Sequence, residues 1–380
     1  MTTPSSTVRV AVVGAGLSGI ACAASLHQGG LSVSLFDKSR GVGGRMATRR
    51  LAEIADIAEG TLALDHGATL FGARTPRFRA VLARAEAAGA VARWTPRVHS
   101  QWPGTGPATV WTATPDMPAL ARHLRADLPL HLQHTVQRLQ RTAAGWLLHM
   151  AEGSQAGPFD QVVLALPPAQ AAALLGGHHE GWAETLRQVR MQPCWTLMAA
   201  SADVDWPWDA AEPGRGPLAW VVRDDRKPGR EVPAGTATWV AQASAEWSAA
   251  HLEDSPESVT RALCEALAEL LPDRSAAGTA AGTAGGTGSA SRRRAPKWLH
   301  ATVHRWRYAL PAVATPAQSV PGPNKLSAQL APECWWDAHL GLGVCGDFLA
   351  GADVEAAWRS GDELADTLAA GVDSQTALAA

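Results

Sequence analysis

The N-terminal part of the chain carries the pattern that most constrains its fold. A β-branched run at residues 8–13 leads directly into a glycine-rich turn, GAGLSG at residues 14–19, and a helical stretch follows. A second apolar run at residues 31–36 ends at an aspartate. Such a unit binds dinucleotides, because its glycines admit a pyrophosphate, its helix N-terminus favours negative charge, and its final acid accepts hydrogen bonds from a ribose hydroxyl. The predicted contacts are Gly14, Gly16, Ser18, Gly19 and Asp37.

An apolar signal or membrane segment is the alternative, since residues 8–26 are almost uncharged. The glycines of the turn and the lack of a small-residue cleavage site favour the nucleotide unit. Residues 1–7 are polar and too short for targeting, and no other apolar run reaches membrane-spanning length. The five cysteines are widely spaced and form no C-x-x-C pair, which indicates reduced thiols. We therefore expect a cytoplasmic protein.

Length and charge narrow the class of partner. A chain of 380 residues can bury two cores, so two domains are expected. The net charge is −2, which provides no basic field for nucleic acid or for an anionic membrane surface. A small-molecule substrate is favoured, and the oligomeric state is left open.

A second glycine-rich turn follows at residues 38–46. Paired glycines allow backbone amides to approach another part of a long cofactor, and an arginine there can neutralise a phosphate or the edge of a flavin. A plain flexible loop is the alternative. The candidate contacts are Lys38, Gly44, Arg45 and Met46.

These features resemble the FAD-binding half of the amine-oxidase-like flavoproteins. The resemblance rests on the GxGxxG turn, the Gly-Gly-Arg turn after Asp37, and the later Asp-x-Gly-Ala at residues 65–68. The phrase GGRMAT at residues 43–48 is most similar to the renalase-like branch. The resemblance implies that residues 64–71 pass the isoalloxazine ring, with contacts from Gly67, Ala68 and Thr69. Thr69 and Leu70 replace the usual Gln and aromatic residue, so backbone contacts are implied there.

The C-terminal part matches the same family. A strand at residues 340–344 is followed by Gly346 and Asp347, and a helix is expected from Gly351 to about Leu368. The resemblance implies that the aspartate binds the ribityl or phosphate region of FAD, and that amides near Asp353 and Val354 face the pyrimidine edge. It also places the backbone of a residue near Val136 against the adenine. One non-covalently bound FAD would then contact both ends of the chain.

The expected fold is a doubly wound, Rossmann-type α/β domain that binds FAD. Residues 1–75, 130–170 and 332–380 are predicted to form it. A mainly antiparallel α+β substrate domain is inserted twice, as residues 76–129 and 171–331. Within it, residues 276–294 are mostly Gly, Ala, Thr and Ser and end in three arginines. A flexible insertion is expected there, with phosphate binding by the arginines as the alternative.

The candidate substrate face comes from a predicted strand at residues 302–309. Period two places His304, Trp306 and Tyr308 on one side, and the stretch resembles a family strand that runs toward the active site. Trp306 and Tyr308 are the substrate-facing candidates. His66 is expected to pack or to form local hydrogen bonds rather than act as a base. No essential acid, base or metal ligand is assigned.

A cationic segment supplies a further hypothesis. Arg223, Arg226 and Lys227 could meet phosphates of a nucleotide substrate, or they could belong to a solvated turn.

The renalase-like branch implies oxidation of dihydropyridine isomers of NAD(P)H by hydride transfer to FAD, with molecular oxygen reduced to hydrogen peroxide. An amine oxidase or desaturase, a sugar mutase that uses flavin without net redox, and a non-catalytic flavin-binding regulator remain as alternatives.

Overall fold

A computed structural model describes residues 7–51, 54, 61–100, 109–271, 296–312 and 332–379. The predicted flexible insertion at residues 276–294 lies outside the described residues. In chain order the strands are β1 (Arg9–Val13), β2 (Ser32–Asp37), β3 (Arg49–Leu51), β4 (Leu62–Leu64), β5 (Val91–Trp94), β6 (Val98–Ser100), β7 (Val110–Ala113), β8 (Leu130–Leu132), β9 (Val136–Thr142), β10 (Gly145–Met150), β11 (Gln155–Phe159), β12 (Gln161–Leu164), β13 (Met191–Ala202), β14 (Ala210–Glu212), β15 (Leu218–Arg223), β16 (Thr236–Ala243), β17 (Trp298–Pro311), β18 (Cys334–Asp337) and β19 (Leu342–Cys345). The helices are α1 (Leu17–Gln28), α2 (Pro76–Ala87), α3 (Pro118–Arg125), α4 (Pro168–Leu175), α5 (Glu180–Gln188), α6 (Ala245–Ala250), α7 (Pro256–Leu270), α8 (Asp347–Ala350) and α9 (Val354–Ala379).

One six-stranded sheet contains the first glycine turn, with the strand order β18-β19-β12-β1-β2-β8. Its strands are parallel except β18, which runs antiparallel to β19. Both faces of β1 are covered. Val10 and Val12 pack with residues of α1 and α9, whereas Ala11 and Val13 pack with the three-stranded sheet β9–β11 and with α4 and α5. Burial on both faces explains why this strand is continuously apolar, and the predicted parallel α/β sheet is confirmed.

A second six-stranded sheet has the order β17-β13-β16-β15-β14-β6 and is antiparallel apart from the β14–β6 pair. Alternation along its strands separates two faces. Trp195, Leu197 and Trp239 pack on Val259 and Leu263 of α7, forming an apolar core. The opposite face includes Met198 and Val240, which pack on Leu62 and Leu64 of β4. The expected antiparallel sheet with helical cover is therefore present.

The chain between residues 130 and 142 forms two strands, β8 and β9, which belong to different sheets. The chain turns at Gln133, whose φ is +59°, and the amides of Gln133 and His134 donate to carbonyls of Ser39 and Asp37. The C-terminal helix, expected to end near Leu368, continues to Ala379, because no proline or strand signal interrupts it.

The described residues include no helix that is long and apolar enough to cross a membrane. In the same ranges, no group of three or more His, Cys, Asp or Glu side chains could hold a metal ion. The cytoplasmic location and the boundaries of the two domains remain predictions.

Candidate flavin site

The glycines of the first turn have different structural roles. A methyl group at Gly14, whose φ is +110°, would lie 2.3 Å from the Ala165 carbonyl oxygen, and one at Gly19 would lie 1.9 Å from the Gly14 carbonyl oxygen. Both positions therefore require glycine for packing within the protein. A methyl group at Gly16 would meet no atom of the described residues within 4 Å. The open space lies over the N-terminus of α1, where a phosphate is favoured.

Asp37 closes the first turn from the end of β2. Its carboxylate accepts hydrogen bonds from the amides of Ala15 and Ser39, each at 2.7 Å. Each carboxylate oxygen keeps a further lone pair for a ribose hydroxyl. The His134 amide donates a hydrogen bond to the Asp37 carbonyl. Val136, the first residue of β9, follows two residues later in the chain. The predicted adenosine contacts are thus gathered at one end of the sheet.

The second glycine turn packs directly on the first. The Gly43 amide donates to the Ala15 carbonyl at 2.9 Å, and a methyl group at Gly44 would lie 3.2 Å from the Gly16 α-carbon. Lys38, by contrast, is exposed and contacts Gln170. The Met46 side chain is buried in the apolar core under α2, so only its backbone is available to a ligand.

Arg45 joins this turn to the C-terminal part of the chain. Its guanidinium forms two hydrogen bonds with the Asp347 carboxylate, at 2.7 Å and 2.5 Å, and a third with the Ala309 carbonyl of β17 at 2.9 Å. The acid side chain is almost fully buried, whereas about a third of the arginine side chain is exposed. Bidentate pairing of this kind fixes both groups in position. Arg45 therefore positions Asp347 beside the paired glycine turns.

The C-terminal residues that were predicted to contact the flavin also have structural roles within the protein. A methyl group at Gly346 would lie 2.3 Å from the Phe348 ring, so glycine is required there. Asp353 accepts a hydrogen bond from the Ala356 amide at 2.8 Å and pairs with Arg74 at 2.6 Å, which makes it the N-cap of α9. Val354 packs with the core under α2.

The residues around the two turns fit a dinucleotide. The open space at Gly16, the helix N-terminus behind it and the acid at the end of β2 together provide the donors and acceptors that a pyrophosphate and ribose need. Ser18 was predicted to face this space, but its side chain does not. Its side chain is buried and hydrogen-bonds the Cys345 thiol, because α1 packs there against the end of β19.

The 65–69 segment lies between the second glycine turn and the antiparallel sheet. On one side, the Ala68 amide donates to the Arg45 carbonyl at 2.8 Å, and a methyl group at Gly67 would lie 1.9 Å from the same oxygen. On the other side, three strands each provide one side-chain donor. These donors are Trp306 to the His66 carbonyl at 2.9 Å, Gln242 to the Gly67 carbonyl at 2.7 Å, and Trp220 to the Thr69 hydroxyl at 3.0 Å.

Asp65, the first residue of this segment, belongs to a buried charge cluster that also contains Asp224, Lys227 and Arg230. The Lys227 ammonium contacts Asp65 at 2.5 Å, Asp224 at 2.6 Å and the Thr69 carbonyl at 3.2 Å. Arg230 contacts Asp65 at 2.5 Å. Burial alone would raise the pKa of Asp65, but the two cations lower it to about 2. Burial raises the pKa of Asp224 to about 6, although the lysine opposes the shift.

The cationic segment was expected to bind substrate phosphates or to form a solvated turn. Neither hypothesis fits, because Arg223 and Lys227 are buried and the partly exposed Arg226 is held in an ion pair. Arg223 pairs with Asp203 and Asp225, and Arg226 pairs with Asp209. In the sequence, the i, i+3 spacing of Asp224 and Lys227 next to an apolar strand could have indicated their ion pair. The roles of Gln242 and Trp220 were missed, and no local pattern could have indicated them.

The candidate substrate face is aromatic. The rings of His66 and Trp306 stack with centroids 5.3 Å apart, and His304 meets both rings edge-on. Burial, the nearby His304 and Arg49 lower the pKa of His66 to about 4. Burial also lowers the pKa of His304. Trp306 thus uses its indole N–H to hold His66, whereas Tyr308, farther along β17, is 38% exposed.

Sequence comparison assigns the chain to a family. Residues 12–85 match the NAD(P)-binding Rossmann-like domain, and residues 105–369 match the model described as flavin containing amine oxidoreductase. The chain belongs to the flavin-containing amine oxidoreductase family. As a member of this family it is a flavin-dependent oxidoreductase.

Individual relatives of this flavin-containing amine oxidoreductase are distant. The tRNA 5-methylaminomethyl-2-thiouridine biosynthesis bifunctional protein MnmC of Magnetococcus marinus is 29% identical, in an alignment that covers 41% of this chain and 29% of that protein. The chain therefore spans less than a third of that relative. Cyclohexylamine oxidase from Brevibacterium oxydans superimposes with a TM-score of 0.64 at 14% identity, covering 97% of this chain and all of that chain. Reduced UDP-galactopyranose mutase superimposes with a TM-score of 0.67 at 10% sequence identity, covering 95% of each chain. Both likenesses establish the fold alone.

Proposed function

We propose that this flavin-containing amine oxidoreductase is an FAD-dependent oxidase that acts on dihydropyridine isomers of NAD(P)H. The observation that carries the proposal is the state of the ionisable groups around the 65–69 segment. The pKa of His66 falls to about 4 and that of His304 is also lowered, so both imidazoles are neutral near pH 7. Asp65, Lys227 and Arg230 are tied into ion pairs. Asp224, whose pKa burial raises to about 6, is fully buried and paired with Lys227. Among the described side chains at this segment that lie outside this ion-pair cluster, none is poised as a general base at neutral pH.

A dihydropyridine suits such a surface. It already carries a transferable hydride, and its oxidation restores an aromatic ring without the removal of a proton from nitrogen or oxygen. FAD, when bound, supplies the hydride acceptor and passes the electrons to molecular oxygen, giving hydrogen peroxide. The contribution of this chain is then binding and orientation, which can lower a barrier by about 7–11 kcal/mol.

Named residues supply these two contributions. We propose that Arg45, Asp347, Asp37 and the backbone near Gly16 hold FAD without a covalent bond. Trp306, stacked on His66, and the exposed Tyr308 form the surface proposed to orient the substrate. Aromatic faces of this kind pack well on the nearly flat, conjugated ring of a dihydropyridine.

Amine oxidation is the second candidate, and the family match favours it. An amine is protonated near neutral pH and must lose that proton before it can be oxidised. The neutral, hydrogen-bonded surface at the 65–69 segment offers no group for that step among the described residues.

Anaerobic mixing of the flavin-loaded protein with single compounds tests the proposal. Dihydropyridine isomers of NADH and NADPH should bleach the visible flavin band, whereas simple primary amines should not, and admission of air should restore the band with one hydrogen peroxide per flavin. Bleaching by amines alone would reject the dihydropyridine assignment. If no reductant of either class bleaches the band, the regulator alternative would gain support.

A further inference from the structure

The buried charge cluster has no role in the proposed function, although it contacts the 65–69 segment, which packs on the second glycine turn through the Ala68–Arg45 hydrogen bond. We propose that Lys227 is a positioning residue that fixes the 65–69 segment against the bound flavin through Asp65 and Thr69. The proposal rests on membership of the flavin-dependent family and is independent of the substrate proposed above.

The contacts of Lys227 span the whole segment. Its ammonium group donates hydrogen bonds to the Asp65 carboxylate and to the Thr69 carbonyl, and it forms an ion pair with Asp224 at 2.6 Å. Asp65 begins the segment and Thr69 ends it. Because the lysine side chain is completely buried, water does not compete for these donors. One side chain therefore fixes the separation between the two ends of the segment.

Further contacts hold the segment between its neighbours. The other oxygen of Asp65 accepts hydrogen bonds from the Thr48 hydroxyl at 2.5 Å and from the Met117 amide at 3.1 Å. Gly67 lies so close to the Arg45 carbonyl that no side chain fits between them. A shift of the segment would therefore move Arg45, which in turn positions Asp347.

The energetics favour a geometric role over simple stabilisation. A buried ion pair is often no more stabilising than apolar side chains of the same volume, because desolvation offsets the attraction. The cluster has two acids and two bases and is formally neutral. Its contribution is directional, because a lysine hydrogen-bonded to both ends of the segment fixes their positions more closely than an apolar contact can.

The test compares Lys227→Met and the double variant Lys227→Met/Asp224→Asn with the control Arg226→Met. The double variant removes one positive and one negative charge, so that Asp65 and Arg230 remain as a neutral pair. Arg226 lies in the same loop and loses an ion pair of its own, but its contacts are with Asp209 and Trp208. Arg226→Met therefore also removes a positive charge from this loop, but it removes no contact with the 65–69 segment.

Three readouts are measured on each folded variant. Hydrogen exchange of the peptide containing residues 62–71 is followed in the flavin-free protein. Visible circular dichroism reports the surroundings of the bound flavin. Anaerobic rapid mixing with the dihydropyridine isomers of NADPH gives the limiting rate of flavin reduction and the apparent substrate affinity. If these compounds fail to reduce the wild-type protein, the proposed function fails, while the first two readouts still decide the role of Lys227.

The proposal predicts faster exchange of the 62–71 peptide and an altered flavin circular dichroism band in both Lys227 variants. It predicts a limiting rate about 10- to 100-fold lower with little change in substrate affinity, as expected for misplacement of reacting groups by about 1 Å. Arg226→Met should resemble the wild type in all three. Wild-type exchange and circular dichroism in the folded double variant would overturn the proposal. Failure of the double variant to fold would also overturn it, because the lysine would then serve the fold as a whole.

Discussion

Arg45 and Asp347 are 302 residues apart in the chain, yet they form a two-pronged ion pair with N–O distances of 2.7 Å and 2.5 Å. The pair joins the second glycine turn to the N-terminus of α8, and its third contact reaches the Ala309 carbonyl of β17. Three distant parts of the sequence therefore meet at one guanidinium group. This contact joins the candidate flavin site to both the N-terminal and the C-terminal part of the chain.

Loss of either partner should weaken retention of FAD. Arg45→Ala leaves a buried carboxylate unpaired, and Asp347→Ala removes the group that orients the arginine. Charge-assisted hydrogen bonds contribute about 1.5–3 kcal/mol, so we expect FAD dissociation constants roughly 10- to 150-fold higher. Arg187→Ala is the control, since Arg187 pairs with Glu180 and Glu184 on the surface. Equal FAD occupancy in all three variants, measured after gel filtration, would reject the assignment.

Two glycines of the first turn should respond differently to alanine. Gly16 has φ −73° and ψ 176°, which alanine adopts readily, and its side-chain direction is open. Gly16→Ala should therefore keep the thermal midpoint of the flavin-free protein and lose FAD. Gly19→Ala should lower the midpoint itself, because its methyl group would lie 1.9 Å from a carbonyl oxygen. Retention of FAD by Gly16→Ala at the wild-type level would show that the pyrophosphate does not use this space.

Buried His66 should make the fold sensitive to acid. Its pKa is about 4 in the folded protein and near 6.5 when exposed, so between these values the unfolded chain binds more protons. Stability is complete above about pH 6.5 and falls as the pH is lowered toward 4, by up to about 3 kcal/mol.

Denaturant unfolding of His66→Phe, which keeps the stacking on Trp306, provides the check. The variant should lose less stability than the wild type between pH 6.5 and 4, and its difference from the wild type should be constant above pH 7. An unchanged pH dependence would mean that another group causes the acid sensitivity.

FAD should be released completely when the protein is denatured. Cys345 is the thiol closest in sequence to the predicted flavin contacts, and it is fully buried. Burial raises the pKa of its thiol to about 12, so it is not the thiolate that a covalent link requires. Acid precipitation should leave all the yellow colour in the supernatant. Colour that remains with the pellet would contradict non-covalent binding.

The sequence predicted the parts of the site that depend on local pattern. The strand–glycine–helix unit is recognisable because turn geometry requires glycine at fixed positions, as the contacts at Gly14 and Gly19 demonstrate. The strand predicted at residues 302–309 was also recognised, because its side chains alternate between two faces, and it lies within β17. Arg45 and Asp347 were both selected as cofactor residues, although their pairing with each other was not expected.

The contacts that position the 65–69 segment could not be predicted in this way. Trp220, Gln242 and Lys227 come from residues more than 150 positions away, and each reaches the segment only after the sheet has formed. Ser18 was misjudged for a related reason. Its hydroxyl direction depends on the packing of α1 against β19, which the glycine motif does not specify.

The central claim is that this chain oxidises a dihydropyridine by orienting it and not by moving a proton. The most direct test is the limiting rate of anaerobic flavin reduction by a dihydropyridine isomer of NADPH, measured in single turnovers across pH. Between about pH 7 and 9 the rate should be constant, because the pKa of His66 lies near 4 and that of Asp224 near 6, both below this window. A rate that changes tenfold per pH unit in this window would contradict the claim and would favour amine oxidation.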